Sequence, residues 1–353
     1  MKRFFLTYAT ALFAALALGA EEPVDLVSAK GTKATAWVSL DAPAAGTFSV
    51  TAKLDGFEPV VSVVTKEPRD PNAFFTDLPG IGEKVSVGVG LADGVKGTPA
   101  QAGEKMTVRI VIEVGEKAAA GIVKGEMKVK SKSEKGESAE VSIPLCLRVL
   151  DWTLPEAKSR YSGRPWIAMC DGSGQQAYDN KDGMRMLGEW TVETTETYAK
   201  NSAAVKSVVG SLWKTKGDLQ SERWRGLGVP YYALLDIPYV VNPDAWRRAA
   251  GAKAWLLGFD GVALPPERKV DPVVTAGLED AEIDVRYLSY ASELANGLAD
   301  KSRNPVKVTY EGRLGQFWVD RVKVAEDDMD VVRLEAQARI VRLLAFAKKG
   351  VAK

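Results

Sequence analysis

The sequence predicts an immunoglobulin-like β-sandwich followed by an α/β domain that ends in a helix, on three observations. Seven short runs before residue 150 are rich in Val, Thr and Ile; strand and helix patterns mix after residue 160; and the C-terminal stretch is amphipathic. The seven runs are 35–40, 47–54, 60–65, 85–91, 107–114, 122–130 and 139–149, and Gly, Pro, Asp and Lys clusters separate them. The last run has the clearest period. Val141, Ile143, Leu145, Leu147 and Val149 alternate with Ser142, Pro144, Cys146 and Arg148, as a half-buried strand requires.

Asp151, Trp152, Thr153, Leu154, Pro155 and Glu156 then break the alternation, because proline has no ladder donor. Trp152 and Leu154 can act there as an apolar plug between two domains. The expected limits are 22–150 for the sandwich and 156–353 for the α/β domain. Residues 128–137, KVKSKSEKGE, read as a solvated hairpin tip, since Glu134 and Glu137 dilute the charge a polyanion patch would need.

In the second domain, 164–169 reads as a strand ending in the loop Cys170-Asp171-Gly172-Ser173-Gly174. Further strands are expected at 229–237 and 256–264, and helices at 184–200, 243–254 and 272–299. In 272–299, Val273, Leu278, Ile283, Val285, Leu288 and Leu294 recur at mixed helical spacings, so one helix or two would fit. In 325–349, Val331, Leu334, Ala338, Val341, Leu344 and Ala345 step by three or four, a stripe expected to pack onto the α/β domain. Glu326-Asp327-Asp328 at its start and Lys348-Lys349 at its end suit the helix dipole.

Length and composition allow two cores: 353 residues, 46% hydrophobic and 26% charged. Residues 1–20, MKRFFLTYATALFAALALGA, have a basic start, an apolar stretch and small residues at the end, the pattern of a secretory signal peptide. The expected location is therefore secreted or periplasmic, with no later membrane span. Loss of Lys2 and Arg3 would leave 45 basic against 46 acidic residues, and so near-neutral a balance argues against a nucleic-acid partner. Cys146 and Cys170 flank the junction, as one disulfide or as two separate thiols.

The sequence contains no histidine. Within this chain that excludes Ser-His-Asp and Cys-His nucleophile systems and histidine-ligated zinc, and two cysteines exclude a four-thiolate metal site. No cofactor or metal is expected. Carboxylates are the plentiful catalytic groups that remain, and glycoside hydrolysis commonly runs on carboxylates alone.

Several segments resemble proteins related to glycoside hydrolase family 123, the DUF4091 proteins. The junction at 149–155 is similar to that family's domain boundary. The runs 107–114, 118–121 and Gly125-Glu126-Met127-Lys128-Val129 are similar to its final sandwich hairpin. Ala254-Trp255-Leu256-Leu257-Gly258-Phe259-Asp260-Gly261 and 278–288 resemble its last barrel strand and the helix after it.

The resemblance implies a TIM-barrel-like second domain. Only about 100 residues separate Pro155 from Trp255, whereas an eight-fold barrel takes about 250, so a reduced barrel is expected. It also implies substrate-assisted hydrolysis: the sugar's acetamido oxygen attacks the anomeric carbon, an Asp orients that amide, and the Glu that directly follows protonates the leaving oxygen. This chain has no Asp-Glu dipeptide, and a Trp typical of the family gives way to Val262, Ala263 and Leu264 after Gly261.

By position at strand ends, Asp171, Asp236 and Asp260 are candidate sugar ligands, with Trp166 and Tyr232 as aromatic companions. Four of the five have a bland alternative: Asp171 and Asp260 stand beside glycine and suit turns, while Trp166 and Tyr232 lie in apolar runs and suit the core. Three functions follow. The first is a secreted carbohydrate-associated protein that has lost hydrolysis and binds a glycan or polysaccharide. The second is an active, divergent glycosidase acting on N-acetylhexosamine-type glycans through Asp171 with Asp236. The third is a structural or adhesion module of the cell envelope. An incomplete barrel would expose strand edges, which predicts a homodimer.

Overall fold

The computed structural model describes residues 23–68, 87–133, 136–156, 166–169, 184–186, 207–211, 231–235, 243–264, 272–300, 310–312, 314 and 328–351. The signal-peptide expectation, Cys170, Asp171 and Asp236 lie outside them. The chain divides into two compact units, Met1–Thr65 with Leu91–Thr153, and Lys66–Gly90 with Leu154–Lys353.

The first unit is all-β: β1 (Val24–Lys30), β2 (Thr32–Asp41), β3 (Gly46–Leu54), β4 (Val60–Pro68), β5 (Val87–Asp93), β6 (Thr98–Ala100), β7 (Lys105–Val114), β8 (Gly121–Lys132) and β9 (Ser138–Thr153). They form a five-stranded sheet, β1-β9-β8-β3-β6, and a four-stranded sheet, β2-β7-β4-β5. One apolar core includes Phe48 and Val50 of β3, Val108, Ile110 and Ile112 of β7, Met127 of β8, and Ile143, Leu145 and Leu147 of β9. Each of the seven expected runs overlaps a strand. β1 and β6 were not expected: β6 has only three residues, and the apolar residues of β1 change phase between Leu26 and Val27.

β9 runs on to Thr153 instead of stopping at 150, because β1 lies parallel to it and carries the pairing to Lys30 opposite Thr153. A register shift between Ser28 and Lys30 accommodates the end, where Lys30 Nζ meets Asp151 at 3.0 Å. Pro144 is tolerated because, among the described residues, pairing with β1 begins only at Leu145, which leaves one side of β9 open at the proline. The β8–β9 turn closes through Ser133, whose N–H donates to the Glu137 carbonyl at 2.8 Å. Glu140 takes Lys130 at 2.8 Å and Lys128 at 3.7 Å, so acids neutralise the lysine-rich arm. Cys146 is a free thiol; burial, and then Asp25, raise its pKa.

The second unit holds five short strands, β10 (Ile167–Met169), β11 (Met184–Met186), β12 (Ser207–Ser211), β13 (Tyr231–Leu234) and β14 (Gly261–Leu264). All described pairings among them are parallel, in the order β10-β14-β13-β12-β11. Chain neighbours pair from β11 to β14, and the last strand returns to the first, giving a curled half-barrel. Together the two units make a β plus α/β architecture with a C-terminal helix.

Three expectations are corrected. Met184–Met186 is a strand where a helix was expected, because pairing with β12 decides a segment too short to carry a period. Residues 187–200 lie outside the description. The run 256–264 is only half strand. The helix Pro243–Arg248 continues through a π-helical turn, Ala249–Lys253, into Ala254–Leu256. It stops in a Schellman motif, in which Phe259 N–H donates to the Ala254 carbonyl and Gly258 N–H to that of Trp255, both at 3.1 Å, with Gly258 at φ 78°.

Residues 272–300 form one helix, Pro272–Asp300, and the terminal helix is Met329–Val351. Here the third correction applies. Of the stripe expected to pack inward, Val331, Leu334, Ala338, Val341 and Ala345 are exposed and Leu344 is half-buried. The face turned inward carries Met329, Val332, Arg333, Ala336, Gln337, Ile340 and Leu343. Two polar residues within that face conceal its period. No described helix is long and apolar enough to cross a membrane.

Candidate functional site

Parallel α/β sheets present their sites at the carboxyl ends of their strands, because there the strands feed into loops. In this sheet those ends are Met169, Met186, Ser211, Leu234 and Leu264. Asp171 follows β10 by two residues, and Asp236 follows β13 by two residues. Both lie outside the described residues.

Trp166, Tyr232 and Asp260 share the other half of the sheet. Trp166 immediately precedes β10, Asp260 immediately precedes β14, and Tyr232 is paired with Gly261. All three are buried, at 1%, 0% and 1% exposure. A sugar platform needs an open ring face; these rings are enclosed in the core.

Their packing has a clear cause. Trp166 Nε1 donates to the Ala250 carbonyl at 2.8 Å, and the Trp166 carbonyl accepts from Val262 N–H at 2.8 Å. Ala250 lies in the π-helical turn, where the i→i−4 ladder is interrupted and carbonyls become available to side chains. Gly251 in the same turn lies so near the long helix that a Cβ there would stand 3.2 Å from Ala281 Cα. The turn thus joins sheet to helix. Trp166→Phe should remove the indole N–H that the Ala250 carbonyl accepts and leave a gap beside the smaller ring, together costing at least about 2 kcal/mol in urea unfolding. An unchanged midpoint would mean that the Ala250 carbonyl finds another donor.

Among the described residues, a buried ionic cluster lies between helices. Asp284 of the long helix, 1% exposed, accepts from Arg247 Nε at 2.6 Å, Arg247 Nη2 at 3.1 Å and Arg333 Nε at 2.6 Å. Arg247 Nη1 reaches Asp330 at 2.6 Å, and its Nη2 reaches the Met329 carbonyl at 3.1 Å. Arg333 Nη2 donates to the Asp280 carbonyl at 3.0 Å. Burial disfavours the Arg247 charge, but Asp284 first, then Asp330 and Asp280, outweigh it and hold the guanidinium above its ordinary pKa.

Buried, perturbed groups are a common mark of active sites. Here the donors and acceptors are turned on one another, tying three helices together, so the cluster clamps the fold. Sequence reading missed it. The available signal was the pair Asp280 and Asp284, four residues apart on the face that also carries Ala281 and Leu288.

Among the described residues no cluster of three or more acidic or cysteine side chains is placed to hold a metal ion. The described acidic neighbours are engaged in helices. Asp280 is fully buried in the long helix, and Asp328 Oδ1 caps the terminal helix by accepting from Asp330 N–H at 2.8 Å.

No family model and no curated protein matches the chain. Among solved structures, its fold is similar to that of a family 123 glycoside hydrolase from Clostridium perfringens, a protein described as hydrolysing glycolipid glycans. The TM-score is 0.56 at 8% identity, covering 94% of this chain and 95% of that one. Two slighter matches are the adhesive subunit CfaE of the CFA/I fimbria of enterotoxigenic Escherichia coli and a type I cohesin from Pseudobacteroides cellulosolvens. The first has a TM-score of 0.20 and 11% identity, covering 37% and 46% of the two chains; the second has 0.16 and 14%, covering 38% and 96%.

Proposed function

We propose that this chain, with its family 123-like fold, is a secreted carbohydrate-associated protein that binds glycan at the carboxyl ends of its parallel strands without hydrolysing it. The carrying observation is the likeness to the Clostridium enzyme across 94% of the chain. Loss of hydrolysis is argued from the sequence. Substrate-assisted cleavage needs one carboxyl held charged beside one held protonated, and no Asp is followed by Glu anywhere in the chain. In this reading the N-terminal unit is an immunoglobulin-like sandwich, the half-barrel is a reduced barrel, and Asp171 and Asp236, each two residues beyond a strand in sequence, are the proposed sugar ligands. The ligand class is an N-acetylhexosamine glycan of the kind carried by glycolipids.

The test is hydrolysis of an aryl N-acetyl-β-galactosaminide beside calorimetric titration with the free N-acetylhexosamine glycan, using the wild type, Asp171→Asn and Asp236→Asn. The expected result is no turnover, measurable binding, and binding weakened about ten-fold by Asp236→Asn, the size of a lost charge-assisted hydrogen bond. Turnover abolished by either substitution would make the protein an active, divergent glycosidase. Absence of both turnover and binding would remove the proposal and favour an envelope module.

A further inference from the structure

We infer that the outward face of the terminal helix is an interface for a second copy of this chain, with the two helices antiparallel. The inference is independent of the proposed function. Val331, Leu334, Ala338, Val341 and Ala345 step by three, four, three and four residues, and all five are exposed. Val331 is 48%, Leu334 49% and Val341 45% exposed. The opposite face already packs inward through Val332, Ala336, Ile340 and Leu343, so the helix carries apolar residues on two sides and uses one. A straight seam of this spacing, about 21 Å long, is what helix-to-helix pairing requires.

The flanking charges select the occupant. Asp328, Glu335, Arg342 and Lys349 follow one edge of the seam at seven-residue intervals, all exposed, in the order acid, acid, base, base. A two-fold axis between Ala338 and Arg339 places Asp328 opposite Lys349 of the second copy, and Glu335 opposite its Arg342. The row is complementary to itself when reversed. A parallel pair would instead gather the acids at one end and the bases at the other, and would align the helix dipoles unfavourably.

Arg342 is fixed at the surface of its own helix by Glu311, whose carboxylate oxygens stand 2.8 Å from Nε and Nη2, so the outer pair Asp328–Lys349 has the freer charges. Ala338 and Ala345 have no bulk to keep two helices apart. A seam of five residues is small for an obligate interface, so the dimer is weak and reversible.

Sedimentation equilibrium of the full chain across the micromolar range should show a monomer–dimer equilibrium. Leu334→Glu should weaken it at least about ten-fold. The site is exposed, so circular dichroism should show unchanged folding; Val341→Lys is a second variant of the same kind. Orientation is read by oxidation in a Cys146→Ser, Cys170→Ser background. Ala338→Cys should cross-link with itself, and Val331→Cys with Ala345→Cys but not with itself. A monomer at every concentration, or a dimer indifferent to both seam variants, would overturn the inference. Self-linking of Val331→Cys would overturn the antiparallel arrangement.

Discussion

Asp284→Ala is expected to cost about 3–5 kcal/mol, a large share of the roughly 5–15 kcal/mol that holds an ordinary domain folded. The carboxylate accepts three hydrogen bonds from two arginines, and both of those side chains stay buried when it is removed. Arg247 keeps Asp330 and Arg333 keeps the Asp280 carbonyl, but the buried carboxylate that the two cations share is gone. The loss therefore comes from uncompensated positive charge more than from the absent bonds.

Urea unfolding followed through the buried indoles Trp166, Trp246 and Trp255 should show the second unit melting early. The β-rich first unit should keep its transition. The triple change Arg247→Met, Asp284→Leu, Arg333→Met should recover much of the loss, since a well-packed apolar cluster can replace a buried ionic one. A single Asp284→Ala variant with an unaltered midpoint would show that water reaches the cluster.

Gly261→Ala should cost about 3 kcal/mol, at the upper end for overpacking. A Cβ at this first residue of β14 would collide with the Trp166 carbonyl oxygen and stand 2.6 and 2.9 Å from two atoms of the Tyr232 ring. The ring can tilt. The carbonyl cannot, because it accepts the Val262 N–H that joins β14 to the start of β10. Adding Tyr232→Leu should therefore rescue only part of the loss. Full rescue would mean that the ring alone had set the spacing.

The two units were unequally legible. In the first, each long strand buries one face, so a period of two reads through Val141 to Val149 and the core can be assigned from sequence. β1 escaped because its apolar residues Val24, Leu26, Val27 and Ala29 change phase midway and so show no sustained alternation. In the second unit the strands are three to five residues long and lie in a parallel sheet, where short apolar runs carry no period.

That is why Ser207–Ser211 gave no signal, and why Leu256 and Leu257, the end of a helix, were joined to the strand beyond Gly258. The terminal helix was found but turned the wrong way, since hydropathy assigns Arg333 and Gln337 to solvent. The same bias concealed the ionic cluster. At the candidate site, position could nominate Asp171 and Asp236, while Trp166, Tyr232 and Asp260 occupy the core.

The parallel pairing of β1 with β9 has a consequence in time. Lys30 and Asp151, which meet at 3.0 Å, are 121 residues apart in the chain. The first described strand of this unit must wait for the last before their sheet is complete. Closing so long a loop comes late and places this unit among slow, high-contact-order folders. Until β9 has been made as far as Thr153, β8 has an unfilled edge and β1 has no strand to pair with, so the nascent chain has a correspondingly long interval in which a chaperone can hold it open.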